Sequence, residues 1–308
     1  MNNFGSAASQ TKSYPCRSTP IQVFTHQNTI LVLHFDGQIT EIAQQIRTIK
    51  LPDKILCADL NTESGILAIG TSGGLVVFNL QKTEVTKVTN YRLAVPHVQF
   101  SGSMLFASFL DMKGEQPQFK TVNNQDYFVY TVVMLDDTFK VVAEAPDQLC
   151  SGQFDFQEGF LHIPQLTSEI RIYSIIKSQF KLSQTVKTPI SSPIVRFFAL
   201  ELIVFESGVI HFLKTEKLAD FEMRVNAVSR TNGGFLFGLQ NGTIRFVNQD
   251  LQFSQVYNGK GQEVCCMAGE AVNSKFVIGL GSLQNIEGNG EIVESTLREI
   301  AGCLQVPV

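Results

Sequence analysis

Apolar residues in this chain come in short blocks, and each block stops at a turn rich in Gly, Asn, Asp or Ser. The stretch Ile66-Leu67-Ala68-Ile69-Gly70-Thr71-Ser72-Gly73-Gly74-Leu75-Val76-Val77-Phe78-Asn79-Leu80 shows the unit best. A branched apolar run, a glycine turn and a second apolar run predict two strands joined tightly, the glycine supplying the positive φ that a hairpin needs. The same pattern returns at Ile30–Ile42 around Asp36-Gly37, at Leu202–Leu213 around Ser207-Gly208, and at Phe235–Val247 around Asn241-Gly242. No stretch carries the 3.6-residue periodicity of a long amphipathic helix, so the expected class is all-β.

Aligning the hairpins cuts the chain into seven segments with the roughly 35 to 45 residue period of four-stranded propeller blades. The first is expected over Pro20–Lys54 and the second over Ile55–Val95, with Glu84–Val88 as its outer strand. The third starts at His97, carries a polar insertion over Asp111–Asp126, and resumes at Tyr127. The fourth spans Cys150–Ile190 and the fifth Ser192–Met223; the sixth begins at Val225 and the seventh at Val264, with a further loop at Ser282–Gly290. One blade alone leaves both sheet faces wet, so burial needs stacked neighbours, and a closed ring of seven removes the unpaired ends. Residues 1–19 read as a flexible arm and 20–308 as one propeller, with Lys12-Ser13-Tyr14-Pro15 or Leu304-Gln305-Val306 expected to supply a closing strand.

Composition narrows the function. Of 308 residues 44% are hydrophobic and 17% charged, enough to bury a large core, and no window of about 18 apolar residues predicts a membrane span. The start Met1-Asn2-Asn3-Phe4 lacks a basic, apolar secretory leader, so nucleus or cytoplasm is the expected location. A net charge of -4 without a basic run argues against nucleic acid as the main ligand.

The chemistry-bearing residues are scattered. Cys16, Cys57, Cys150, Cys265, Cys266 and Cys303 have no zinc-type spacing and read as reduced thiols, the adjacent pair lying in an inner strand. His26, His34, His97, His162 and His211 fall in different blades and read as structural. Gly70–Gly74 lacks the Lys-Ser/Thr and the helix of a phosphate loop. Asp36, Asp59, Asp111, Glu206 and Glu270 make no carboxylate pair, Asp59 being expected as a turn partner within its own blade. Neither a cofactor nor a catalytic residue is assigned. The competing enzyme reading, a propeller hydrolase or lactonase, requires several of His26, His97, His162 and His211 to gather with carboxylates around a metal or acid/base pair.

Blade length and hairpin pattern resemble the WD-repeat propellers, although Trp is absent and Phe78-Asn79 and Val247-Asn248 stand where Trp-Asp is usual. From Glu206 onward, Glu206-Ser207-Gly208-Val209-Ile210-His211-Phe212, Val225-Asn226-Ala227-Val228 and Asn241-Gly242-Thr243-Ile244-Arg245-Phe246 resemble the paired family of the mitotic spindle-checkpoint propeller and the messenger-RNA export propeller of the nuclear pore. That resemblance implies a monomeric, non-catalytic scaffold, within a larger complex, that binds a short peptide segment of a larger protein partner at kinetochores or the nuclear pore. Vesicle-coat or nuclear-pore structural propellers are the alternative scaffold. The loop between the second and third strands and the segment entering a blade should open on one face, which places the partner near both insertions. The expected contacts are Arg92, Phe109, Lys113, Phe119, Arg224 and Lys260, because exposed Arg and aromatic side chains anchor extended peptides.

Overall fold

Short strands rich in branched and aromatic residues, buried almost end to end in Ile66–Thr71, Gly74–Asn79 and Gly234–Leu239 and mostly exposed in Glu84–Val88 and Gln179–Lys187, form antiparallel sheets throughout a computed structural model. It describes residues 9–16, 18–27, 29–82, 84–88, 93–113, 116–122, 124–166, 168–190, 192–231, 233–258, 262–270, 275–281 and 290–296. Among the described residues all regular structure is strand, and the chain divides into two compact units, 52–220 and the combination of 1–51 with 221–308.

In the 52–220 unit, four sheets each use one continuous stretch of chain. The second blade pairs Ile55–Asn61, Ile66–Thr71, Gly74–Asn79 and Glu84–Val88 in order, so its expected outer strand is the observed one. The third pairs His97–Ser101, Met104–Leu110, Tyr130–Leu135 and Val141–Gln148. The fourth is Asp155–Gln157, Phe160–Gln165, Glu169–Ile176 and Gln179–Lys187, and the fifth Ile194–Phe198, Leu202–Phe205, Val209–Phe212 and Lys217–Asp220. Neighbouring sheets share layers of apolar side chains. Ala68, Leu75 and Val77 of one blade pack with Leu105, Ala107 and Phe109 of the next, and Phe106 stacks on Phe156 at 4.3 Å between ring centroids.

The inner strands of this unit are also tied by side chains reaching forward. Asp59 accepts the Phe100 N–H at 2.6 Å, Gln99 Oε1 accepts the Phe156 N–H at 2.8 Å, and Asp155 accepts the Ala199 N–H at 2.6 Å. Each bond satisfies a main-chain donor on the next blade that its own sheet leaves unpaired. Asp59, expected as a turn partner within its blade, is therefore a bridge between blades. A second polar group lies deeper: Gln148 and Gln165 bond one another, Tyr173 and the Leu149 N–H, so these buried amides are satisfied in place.

The other unit holds the first blade, Pro20–His26, Thr29–His34, Gln38–Ile42 and Ile46–Lys50, and the sixth, Val225–Thr231, Gly234–Leu239, Thr243–Asn248 and Phe253–Asn258. The first and fifth hairpins turn alike to the sixth. Gly37, Gly208 and Gly242 donate to the carbonyls of His34, Phe205 and Leu239 with φ of 92°, 92° and 82°, the left-handed region that only glycine enters freely.

At the chain ends, the closing strand is the one expected around Lys12-Ser13-Tyr14-Pro15. The last segment does not form a blade by itself: it contributes Glu263–Glu270, Lys275–Gly281 and Gly290–Thr296, and its fourth strand comes from Ser9–Cys16, paired through Tyr14↔Ile292. Residues 9–16 supply that closing strand, with Tyr14 and Cys16 packed against a core containing Val23, Val32, Cys266 and Val277. The tail 304–306 and all but the last residue of the 282–290 loop lie outside the described residues.

Candidate functional site

The third blade carries the additional structure of the 52–220 unit. Its second and third strands end at the Leu110↔Tyr130 pair, and the chain between them branches. Asp111 N–H donates to Val129 O, Gln118 N–H to Asp111 O, and Val129 N–H to Gln118 O, at 2.9, 2.8 and 3.1 Å. Those bonds close a junction from which two ribbons leave, Met112–Lys113 with Gln116–Pro117 and Phe119–Val122 with Gln125–Phe128. The expected loop over 111–126 is therefore two short hairpins, and the blade resumes at Tyr130 rather than Tyr127.

On the longer ribbon Phe119 and Phe128 are directly opposed, with ring centroids 4.7 Å apart, yet remain 52% and 43% exposed. Two pairs along, on the same face, the Thr121 hydroxyl donates to Asp126 at 2.6 Å. A two-stranded ribbon has little stability in water, and a cross-strand aromatic pair adds about 0.5–1.5 kcal/mol beyond its area burial. The pair therefore staples the ribbon while offering an apolar surface to solvent. Lys113 and Lys120 are exposed on the same insertion. Burial raises the Asp111 carboxyl above its usual range, with Asp147 and Glu144 adding to the effect and a Thr131 hydrogen bond opposing it.

The segment entering the third blade reaches the same end of the sheet, since Leu110 N–H donates to Ala94 O at 3.0 Å. The equivalent bond recurs in the other continuous blades as Phe35→Thr19, Ser72→Lys54, Leu166→Leu149, Glu206→Pro193 and Gln240→Arg224. In each, the entering chain lies against the end of the hairpin between second and third strands, as expected from strand order.

The expected contact residues separate on this frame. Lys113 and Phe119 belong to the insertion and are exposed; Arg224 is exposed at the entry to the sixth blade, in the other unit. Phe109 is a correction: at 1% exposure it packs beside Leu105, Ala107 and Val133 and has no surface to offer. Its place in an alternating strand, with Leu105 and Ala107 on the same face, is the signal that identifies it as core. Arg92 and Lys260 lie outside the described residues. Phe128 is not legible as a contact from the sequence, because a strand that looks like the resumed blade makes an aromatic at that position look internal.

The remaining chemistry is accounted for locally. The His34 imidazole bridges Ser18 O and Thr40 Oγ1, both at 3.1 Å, and burial holds its pKa down. His97 lies edge-on to Phe154 at 4.6 Å and is held down to about 4 by burial and by Arg196. His211 meets Glu216 at 3.2 Å, and His162 faces the Phe197 ring. Burial pushes the Cys150 thiol up to about 12 and raises the Cys57 thiol further, so neither is a nucleophile at neutral pH. In the Gly70–Gly74 turn the Thr71 hydroxyl accepts the Gly73 N–H and donates to Gly74 O, a hairpin lock rather than an anion cradle. Among the described residues no three His, Cys, Asp or Glu side chains stand close enough to hold a metal.

The class this architecture defines is the β-propeller of four-stranded antiparallel blades. The chain is similar to the WD40 β-propeller domain of Doa1, with a TM-score of 0.67 and 11% identity over 93% of this chain and 95% of that one. It is also similar to the computationally designed protein Ika8, with a TM-score of 0.59 and 13% identity over 90% and 96% of the two chains. No protein-family model matches the sequence, and no curated protein matches it. At these identities the likeness is one of fold.

Proposed function

We propose that this protein is a non-catalytic interaction scaffold, and that the ribbon bearing Phe119 and Phe128 receives an extended peptide segment of a larger protein. The observation that carries the reading is the exposed aromatic pair on a ribbon that the blade itself does not need. Rigid aromatic rings lose little entropy on binding, and an adjacent two-stranded edge offers main-chain hydrogen bonds to an extended segment. Lys113 and Lys120 lie within the same insertion and add positive charge. The likeness to a WD40 domain supports the scaffold reading through fold, and the ring is proposed to close with seven blades, the composite sheet being the last. A role in spindle-checkpoint signalling or messenger-RNA export, and a nuclear or cytoplasmic location, are the settings in which such a scaffold would act.

The test is affinity purification with the whole chain and with a Phe119→Ser/Phe128→Ser variant of unchanged thermal stability. Partners held through the ribbon should be lost by the variant and kept by the wild type. Equal recovery of every partner by both proteins overturns the placement, and the identity of the lost partner separates checkpoint, export and coat settings.

A further inference from the structure

At the opposite end of the third blade, three turns surround an open cleft of about 200 Å³. The strand Met104–Leu110 runs from one to the other, so cleft and insertion are about 20 Å apart at ~3.3 Å per residue. The turn at 61–66 supplies Asn61, Glu63, Ser64 and Ile66, the turn after Phe100 supplies Gly102 and Ser103, and the turn at 136–140 supplies Asp137 and Phe139. Ile66, Phe100 and Phe139 form an apolar floor that is continuous with the core beneath it.

Each wall is fixed by hydrogen bonds of its own. Asn61 Oδ1 accepts the N–H groups of Glu63 and Ser64, while Asn61 Nδ2 donates across to Gly102 O of the next blade at 2.8 Å. Asp136 accepts from Thr138 and Lys140 and closes the third turn, in which Phe139 holds a φ of 59°. A bulky side chain in that region costs roughly 1–3 kcal/mol, which packing of the ring on the core offsets. The cleft is thus a preformed concavity with little to rearrange on binding.

Charge specifies the occupant. Glu63 and Asp137 are exposed at the rim, and their carboxylates make no ion pair among the described residues. An apolar floor beneath two unpaired carboxylates matches an apolar side chain with basic neighbours and disfavours an acidic segment. We propose that this cleft docks a partner protein's extended segment in which an apolar side chain is flanked by Arg or Lys. The site is separate from the ribbon, so one scaffold can hold two segments.

The experiment is amide chemical-shift mapping on the deuterated full chain with three probes, acetyl-Gly-Arg-Leu-Arg-Gly-amide and its Glu-Leu-Glu and Arg-Ser-Arg counterparts. The Arg-Leu-Arg peptide should shift Glu63, Ser64, Gly102, Ser103 and Asp137, binding at least about five-fold more tightly than either counterpart and weakening with salt. A Glu63→Lys/Asp137→Lys variant should lose this binding with its fold intact, as should Ser103→Trp, which fills the mouth. No shift at these amides, equal binding of the three peptides, or undiminished binding by the charge-reversed variant would each overturn the proposal. The ribbon reading is untouched by any of these results, because Phe119 and Phe128 are intact in every protein used.

Discussion

Asp59 accepts the main-chain N–H of Phe100 at 2.6 Å, so a carboxylate on one inner strand completes the hydrogen bonding of the next blade's inner strand. Gln99 and Asp155 repeat the arrangement one and two blades further on. Asp155 also accepts from Gln99 Nε2 at 2.6 Å, which makes it the most connected member. Asp155→Ala leaves the Ala199 N–H without its acceptor and the Gln99 amide with only the more distant Phe156 carbonyl at 3.5 Å. Urea unfolding should show a loss of about 2–4 kcal/mol, from two donors at ~1–3 kcal/mol each with partial relief by water. A loss below half a unit of urea midpoint would mean that the bonds are not needed to join these blades.

The buried imidazoles set a pH limit on stability. His97 titrates near 4 when folded, and burial also lowers His34 and His162, whereas an unfolded histidine titrates near 6.5. Between these values the unfolded chain binds more protons, so stability is fully present above about 6.5 and falls as pH drops toward 4. Asp59, whose carboxyl is raised by burial, acts in the opposite sense where it titrates. The single contribution is therefore isolated by comparing wild type with His97→Phe from pH 7 to pH 5. The wild type should lose more stability on acidification, by about 1–2 kcal/mol at 1.36 kcal/mol per pH interval of one; parallel curves would contradict a neutral buried His97.

Gly242 and Gly233 both have positive φ, 82° and 94°, but their surroundings differ. A Cβ on Gly242 would stand 2.3 Å from Gln262 O, whereas one on Gly233 meets nothing within 4 Å. Gly233→Ala should cost only the left-handed backbone penalty of about 1 kcal/mol. Gly242→Ala should cost at least ~2 kcal/mol more, since a main-chain carbonyl cannot step aside without moving the entering chain. Thermal melts of the two variants check the order, and equal melting temperatures would remove the steric argument.

Much of this fold is legible because strand period and turn glycine agree at each hairpin. Ile66–Asn79 holds two apolar runs split by the turn at Ser72-Gly73, and both of its strands appear where the pattern places them. The insertion was visible as an interruption, but its two ribbons were not, because Met112-Lys113 and Gln116-Pro117 are too short for any periodicity to register. Nearness to an insertion suggests a surface anchor at Phe109 but says nothing about which face a side chain takes; register decides that, and its partner Thr131 fixes it. The cleft floor was illegible for a related reason. Ile66 begins a strand of the second blade, Phe100 lies in the inner strand of the third and Phe139 in its last hairpin, and only the folded packing of the two blades brings them together.

The composite sheet gives the most direct test of how the ends cooperate. Ser9–Cys16 pairs with Gly290–Thr296, so removal of residues 1–16 bares the edge of the last strand and uncovers the core lined by Val23, Val32, Cys266 and Val277. Tyr14 and Cys16 are partly buried, so loss of their contacts removes a fraction of the ~1.5–3 kcal/mol that full burial of a large apolar side chain supplies, and the exposed strand edge is a template for pairing with another chain. The truncated protein should melt at least about 5 °C lower, with the shift per kcal/mol being some 2–4 °C or less for a chain this long, and should associate at high concentration. A synthetic peptide of residues 9–16 should restore part of the melting temperature in trans by filling the open edge. A truncated protein that melts like the intact chain and gains nothing from the peptide would show that the strand is an accessory rather than the fourth member of this sheet.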